Sequence, residues 1–592
     1  MAQLIKPPRR AHAEVATLVA GISLIASCST GTGTGSDRFK KSPDNQPTNT
    51  KVPPIELDAA SETQDLCNDP ASVSKPYRGV NLTGLTMVAY GQVNGYAESD
   101  FSLLHDLGFN WARLPIDYLN YTEEGDWLRY SAAGLSKIDQ AVAYGCQYAI
   151  HVCLNLYEAP GYSVATNIDP SGLSLWKDAA AQQAFATHWQ MFARRYANVP
   201  ADNLSFNLVN EPPGPQSNSG VTTFDESVYL GVMRQAIKAI REVSPNRPIL
   251  LDGLNFGRIP LKTLNDTSII QAVHDYDPIQ VTHYKAPWVD GSTNWPQPQW
   301  PPFMASQYLF GPLHSDVSGS GPGKDYCQLT SEGFCSPLTF QGSFPAGTTI
   351  TLTIAQASYA DGSAANTWSS TRLVAYTNSP TSPILEQDFS VANFPADEPP
   401  CSNACANATY HVLQPEFDRD FSFQLGADAA QFSVQVISGD WVKLSQITLT
   451  FPTNSGLGSV RLVPAIQRWD VPQAAYTLDA SGHAQLSGSP PAGYERDYKA
   501  VGWFQDWADL KQSGYQVMVG EFGVYNQTPQ DVTLAWFKDQ LDAFKGSGFN
   551  GWATWDPYAE FGIMGPPRPG EVPENYASHT LNRPMLQLLM QY

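Results

Sequence analysis

From about Tyr77 onward, short apolar runs alternate with stretches of helical period. The runs Gly79–Leu82, Trp111–Pro115, Tyr148–Leu156, Leu204–Asn210 and Pro248–Asp252 read as strands. Between them Phe101–Leu107, Gly134–Tyr144, Gln182–Tyr196 and Val228–Val243 read as helices. Strands that alternate with helices pair in parallel, because each crossover needs a dozen or more residues and lays its helix on the sheet. The expected fold class is therefore α/β, a parallel sheet wrapped by helices.

The rhythm breaks between about Val317 and Pro464. Helical period disappears there, and alternating runs separated by turn residues replace it: Thr348–Ile354, Thr371–Tyr376, Asp420–Leu425, Phe432–Ile437 and Trp441–Phe451. That pattern implies an antiparallel β-sandwich over 317–464. The α/β rhythm resumes with a helix over Asp497–Gly514 and a strand ending at Glu521. The insert thus divides an α/β domain into 63–316 and 465–592.

The N-terminus reads as a targeting segment. Lys6, Arg9 and Arg10 precede an apolar stretch from Val15 to Ala26 that is too short for a permanent bilayer span. Leu24-Ile25-Ala26-Ser27-Cys28 resembles a bacterial lipobox, which makes Cys28 a lipidation site and 1–28 a lipoprotein-type signal segment. Residues 29–62 are rich in Gly, Ser, Thr, Pro and Asn and read as a flexible tether. The reading places the protein outside the cytoplasm, on the cell envelope (the outer membrane in a Gram-negative cell) or beyond it, with membrane contact only through that lipid. Export implies an oxidising compartment. Setting Cys28 aside leaves Cys67, Cys146, Cys153, Cys327, Cys335, Cys401 and Cys405, an odd number. Cys327 with Cys335 and Cys401 with Cys405 are spaced to close small loops, but sequence leaves the pairing open. A net charge of −21 repels phosphate backbones and argues against nucleic acid as a partner.

Two glutamates carry the chemistry. Glu211 stands in Val209-Asn210-Glu211-Pro212 and Glu521 in Gly520-Glu521-Phe522-Gly523, each where an apolar run meets Pro or Gly. Each reads as the last residue of a buried strand. Two carboxylates facing each other across a cleft are the minimum machinery for cleaving a glycosidic bond. Further segments accompany them in order: Ala112-Arg113-Leu114-Pro115, His274-Asp275-Tyr276-Asp277-Pro278, Thr282-His283, and Trp552-Ala553-Thr554-Trp555. Together these resemble glycoside hydrolase family 5, from about Gly79 to the C-terminus without the insert.

That resemblance implies a closed (β/α)8 TIM barrel with the catalytic residues at the C-terminal ends of its strands. The glutamates are 310 residues apart, more than an ordinary barrel of roughly 250, as an inserted domain requires. It implies Glu521 as nucleophile and Glu211 as acid/base in a retaining double displacement, with no metal or organic cofactor. It also implies Arg113 and Tyr276 as partners of Glu521, Asn210 as a ligand of the sugar 2-hydroxyl, His274 beside the carboxylates and Trp555 as a stacking floor. His283, and Trp288 in a loop shared with Trp295 and Trp300, join the expected substrate contacts, with at least one of these tryptophans an exposed sugar platform. Two positions depart from the family: Tyr157 stands where relatives commonly carry His, and Tyr284 where they often carry Gln. The expected function is endo-acting hydrolysis of a β-1,4-linked glucan. The alternatives are a β-mannanase, a xyloglucan or mixed-linkage glucanase, or a surface glycan-binding lipoprotein. The insert is either a carbohydrate-binding module or a structural brace.

Overall fold

The computed structural model of the protein describes residues 62–67, 72–124, 126–164, 171–215, 224–313, 335–364, 366, 368–394, 406–407, 410–455, 458–466, 471–479, 482–488 and 504–592. The targeting segment with Cys28, the tether up to residue 61, and Cys327, Cys401 and Cys405 lie outside these residues.

Eight parallel strands form the first domain: β1 (Tyr77–Asn81), β2 (Trp111–Asp117), β3 (His151–Ala159), β4 (Leu204–Asn207), β5 (Ile249–Asp252), β6 (Ile269–Asp275), β7 (Gln516–Phe522) and β8 (Gly551–Thr554). Each pairs with the next, and β8 returns to β1, so the barrel is closed. Around it run α1 (Glu98–Asp106), α2 (Ala132–Gln147), α3 (Ala179–Arg195), α4 (Glu226–Arg241), α5 (Gln505–Gln512), α6 (Gln530–Gly546) and α7 (Arg583–Leu589). These helices form where apolar residues recur at helical spacing, and α4 is capped by Asp225, whose carboxylate accepts the Ser227 and Val228 N–H groups.

The period of two along a strand builds the barrel interior in layers. Trp111, Cys153, Leu250, Met518 and Ala553 pack together as an apolar floor. Gly79 makes room for it, since a Cβ there would come within 2.5 Å of the Trp111 ring. Two residues further along the same strands stand Arg113, Asn155, Asp252, Gly520 and, just beyond β8, Trp555. The layer above the floor is thus polar and functional.

Several strand bounds differ from expectation. The run Tyr148–Leu156 becomes His151–Ala159, because Ala149 turns the chain with φ 55°. β4 stops at Asn207, so Glu211 lies four residues past its strand rather than at its end, whereas Glu521 lies inside β7. The helix expected over Asp497–Gly514 is observed over Gln505–Gln512, and 497–503 lie outside the described residues.

The second domain is a pair of antiparallel-rich sheets. One joins strands 308–310, 441–450, 349–360, 416–424 and 459–462; the other joins 385–389, 371–376, 429–438, 338–344, 475–478 and 484–486. Its core begins at Phe303 and ends at Ala484, so the sandwich extends past the expected bounds of 317 and 464 at both ends. The added strands are short and sit among Pro, Gln and Gly, which hides them in the sequence. Trp441 is buried against Tyr308 and Phe310, and Trp368 packs on the sandwich core. The sandwich touches the barrel where Arg461 donates to the Asn294 carbonyl at 3.2 Å and Gln299 exchanges hydrogen bonds with the Ala484 backbone.

Cys67 is disulfide-bonded to Cys146 on α2, and Cys335 is also disulfide-bonded. Cys153 is a buried free thiol.

Candidate active site

Arg113 is the hub of the polar layer. It is fully buried, and a buried guanidinium must find acceptors for its donors. Nε donates to Asn207 Oδ1 at 2.7 Å, Nη1 to Asn81 Oδ1 at 3.0 Å and to Glu521 Oε1 at 2.5 Å, and Nη2 to Asn210 Oδ1 at 2.8 Å. Asp252 Oδ2 lies 3.5 Å from Nη2. Burial opposes the guanidinium charge, but Glu521 and Asp252 outweigh it and raise the Arg113 pKa.

Glu521 accepts from Arg113 on Oε1 and from the Tyr276 hydroxyl on Oε2 at 3.2 Å. Burial pushes the Glu521 carboxyl up; His274 and Arg113 pull it back, while Glu211 and Asp252 push it further. The Tyr276 phenol is held far above its ordinary value, first by burial and then by the two glutamates, so it stays a donor.

Glu211 sits on a strained bend with φ 44°, a left-handed conformation that penalises a residue bearing a Cβ. The bend is held from two sides. Asp252 Oδ2 accepts the Glu211 N–H at 3.0 Å, and the Tyr162 hydroxyl donates to the Glu211 carbonyl at 2.6 Å. His274 Nδ1 lies 2.9 Å from Glu211 Oε1. Glu211 Oε2, Asn210 Nδ2 and His283 Nε2 are buried polar atoms with no hydrogen-bond partner among the described residues. With Asn155 Oδ1 and His274 Nε2, which also lack a hydrogen-bond partner among the described residues, they are the buried polar atoms of the site left unengaged.

The two glutamates face each other. Ligand atoms of Glu211, His274 and Glu521 all lie within 4.8 Å of one another, and the two glutamates are only 1% and 2% exposed. Among the described residues this is the one group of three side chains with metal-ligand character. With Arg113 bonded to Glu521 and His274 facing Glu211, the arrangement suits proton and charge transfer between neighbouring groups.

Beside this cluster, Tyr157 packs against Trp555 with ring centroids 5.9 Å apart. His283 and Trp288 are one shell further out. His283 packs on Tyr276 at 5.3 Å, its Nδ1 meets the Thr282 hydroxyl at 2.9 Å, and burial lowers its pKa to about 3, leaving it neutral. Trp288 packs on Tyr525 at 5.0 Å and on His283 and Phe561, half-buried. Trp295 is also half-buried against the barrel core, and Trp300 donates to Asp539 on α6 at 2.9 Å. All three are half-buried rather than fully exposed, in a loop that lies between barrel and sandwich.

Four site residues went unread in the sequence: Asn81, Asn155, Asn207 and Asp252. Each is a polar residue within or closing an apolar run, and a buried polar side chain at such a position needs partners. Asn155 donates to the Asn207 carbonyl and side chain, Asn207 to Asp252, and Asn81 to the carbonyls of Gly520 and Thr554.

Comparison with known proteins agrees with this geometry. Residues 73–306 match the model of the family described as Cellulase (glycosyl hydrolase family 5). Endoglucanase C of Acetivibrio thermocellus is 29% identical over 199 residues, 33% of this chain and 54% of that protein. Cellodextrinase A of Ruminococcus flavefaciens is 28% identical over 223 residues, 36% of this chain and 61% of that protein. Endoglucanase 3 of Fibrobacter succinogenes is 26% identical over 270 residues, 43% of this chain and 39% of that protein. The chain therefore spans about half the length of the curated relatives it matches. A solved structure titled as a glycoside hydrolase shares the fold, with a TM-score of 0.51 and 21% identity over 87% of this chain and 98% of that one.

Proposed function

Starting from a chain that carries a glycosyl hydrolase family 5 domain, we propose that it hydrolyses internal bonds of a β-1,4-linked glucan with retention of configuration. The observation that carries this reading is the approach of Glu211 and Glu521 to within 4.8 Å. Retaining enzymes hold their carboxyls about 5 Å apart, and inverting ones leave a wider gap for water. Arg113 and Tyr276 bond the Glu521 carboxylate and aim it, with Arg113 opposing the burial that raises its pKa, so it attacks the anomeric carbon. Glu211 donates its proton to the leaving oxygen and then activates water. Asn210 Nδ2 takes the sugar 2-hydroxyl, a contact that tightens as the ring flattens towards the transition state. Trp555 and Tyr157 supply the apolar face on which a pyranose stacks. A neutral polysaccharide suits a chain of net charge −21.

The similarity to endoglucanases and a cellodextrinase favours a β-glucan over a mannan. The Leu24–Cys28 segment supports export and lipid attachment at Cys28, and the Cys67–Cys146 disulfide agrees with an oxidising compartment. The contacts of Arg461 and Gln299 with the barrel support the sandwich as a brace for the loop that carries Trp288, Trp295 and Trp300.

The test is reducing-sugar release by residues 63–592 from soluble β-glucans and mannans, with Glu521→Gln alongside. Release from a β-1,4-glucan that vanishes in the variant supports the reading. Silence on every polymer, or equal release by the variant, overturns it.

A further inference from the structure

Asp252 closes β5, is fully buried and takes no part in the two-carboxylate scheme. A carboxylate out of water must be matched by donors and cations. Its Oδ1 accepts from Asn207 Nδ2 at 2.8 Å. Its Oδ2 accepts the Glu211 N–H at 3.0 Å, and lies 3.5 Å from the Arg113 guanidinium and 3.3 Å from His274 Nε2. The last approach is off the ring's donor axis, so it acts through charge rather than as a formed hydrogen bond. The other nitrogen of His274 faces Glu211 Oε1 at 2.9 Å. One carboxylate oxygen therefore touches both the backbone of Glu211 and the ring that addresses its side chain.

We propose that Asp252 is a positioning residue which fixes the Glu211 bend and holds His274 as an imidazolium, so that Glu211 presents its proton on Oε2; this rests on the reading of Glu211 as acid/base. The argument runs through the two edges of the ring. Asp252 stands at the Nε2 edge, and Glu211 at 2.9 Å and Glu521 at 3.6 Å stand at the Nδ1 edge. With Glu211 protonated, the charges of Asp252 at one edge and Glu521 at the other favour a proton on both nitrogens. The cations facing this cluster are Arg113 from β2 and Arg258 from the segment after β5, whose Gly257 abuts the His274 ring. Burial opposes the imidazolium, yet Glu521, Asp252 and Glu211 raise its pKa overall. With Nδ1–H donating to Oε1, the proton of Glu211 is confined to Oε2, the oxygen that no described residue engages. Asp252 also fixes the N–H at the φ 44° bend that aims this oxygen.

Asp252→Asn keeps the shape and an acceptor for the Glu211 N–H but removes the charge. A glycoside with a poor leaving group needs the proton; a 2,4-dinitrophenyl glycoside does not. The variant is expected to lose about 10- to 100-fold in kcat/KM on cello-oligosaccharides, a part of the roughly 10²- to 10⁴-fold that general acid catalysis supplies, and less than about threefold on the dinitrophenyl substrate. A merely structural role would depress both alike, and that result overturns the proposal. The second readout needs no activity. In 15N-histidine NMR, with His274→Gln assigning the resonance, His274 should be doubly protonated at pH 7 in the unaltered protein and neutral in Asp252→Asn. A neutral His274 at pH 7 in the unaltered protein overturns the proposal even where the variant fails to fold. A protein that cleaves no glycoside would refute the acid/base reading instead, while the NMR would still report the state of His274.

Discussion

Replacing Arg113 with lysine keeps a positive charge and removes the planar fork. The guanidinium serves five acceptors: Asn207, Asn81, Glu521, Asn210 and, at longer range, Asp252. Asn207 and Asp252 keep other donors, but Asn81 Oδ1 and Asn210 Oδ1 accept from Arg113 alone among the described residues, on its two separate terminal nitrogens, and a single-atom ammonium cannot span both. At least one is left buried without a partner, which puts the loss of barrel stability at about 1–3 kcal/mol. The effect on rate comes from Glu521. A hydrogen bond to a charged group contributes about 1.5–3 kcal/mol, and weakening it corresponds to about 10- to 150-fold in rate. With Glu521 as the proposed nucleophile, its charge is consumed in the transition state, so the loss should fall on kcat, with KM little changed. The assay is kcat and KM on a cello-oligosaccharide, with denaturant unfolding followed by tryptophan fluorescence. A variant within about threefold of the parent kcat, with the same unfolding midpoint, would refute the view of Arg113 as hub.

The other predictions follow from single contacts. Tyr276→Phe removes the hydroxyl on Glu521 Oε2 and should lower kcat about tenfold, which steady-state kinetics on the same substrate will show. Cys67→Ser opens a cross-link spanning 79 residues and should cost about 4 kcal/mol in non-reducing denaturation. His151 and His188 are each pushed down to about 4 and His283 to about 3, chiefly by burial, against about 6.5 unfolded. A lowered pKa contributes stability that is fully present above pH 6.5 and is lost as pH falls towards 4, about 3 kcal/mol per histidine. His188→Gln should therefore show a shallower fall in stability between pH 6.5 and 4 than the parent, and an unchanged slope would contradict the assignment.

The barrel was legible because its signal is local and repeated. Apolar runs at Trp111, Leu204 and Pro248 alternate with helical stretches, which makes a parallel sheet wrapped by helices legible, while its closure into a barrel came from the family resemblance. Arg113, Asn210, Glu211, His274, Tyr276 and Glu521 were legible because each stands in a short motif, and the structure brings all six into one cluster. What was not legible depends on closure of the ring. Asp252 looks like any strand-ending aspartate until β5 meets β4 and β6 and places it under Glu211. Glu211 read as a strand end because backbone strain leaves no trace in composition; only its φ of 44° shows that the chain has already turned. The sandwich borders were missed for a similar reason. Strands 308–310 and 475–478 gain their partners, 441–450 and 338–344, only across long sequence distances. The tryptophans of the 288–300 loop sit among Pro and Gln like an exposed patch, but the sandwich and α6 pin that loop down.

The most direct test of the central claim is the stereochemistry of the first product. Hydrolysis of a cello-oligosaccharide should be followed by 1H NMR from the first turnovers, before mutarotation mixes the anomers. With Glu211 and Glu521 within 4.8 Å, the account predicts that the β-anomer appears first. First appearance of the α-anomer would mean that water attacks directly, and would contradict the assignment of Glu521 as nucleophile.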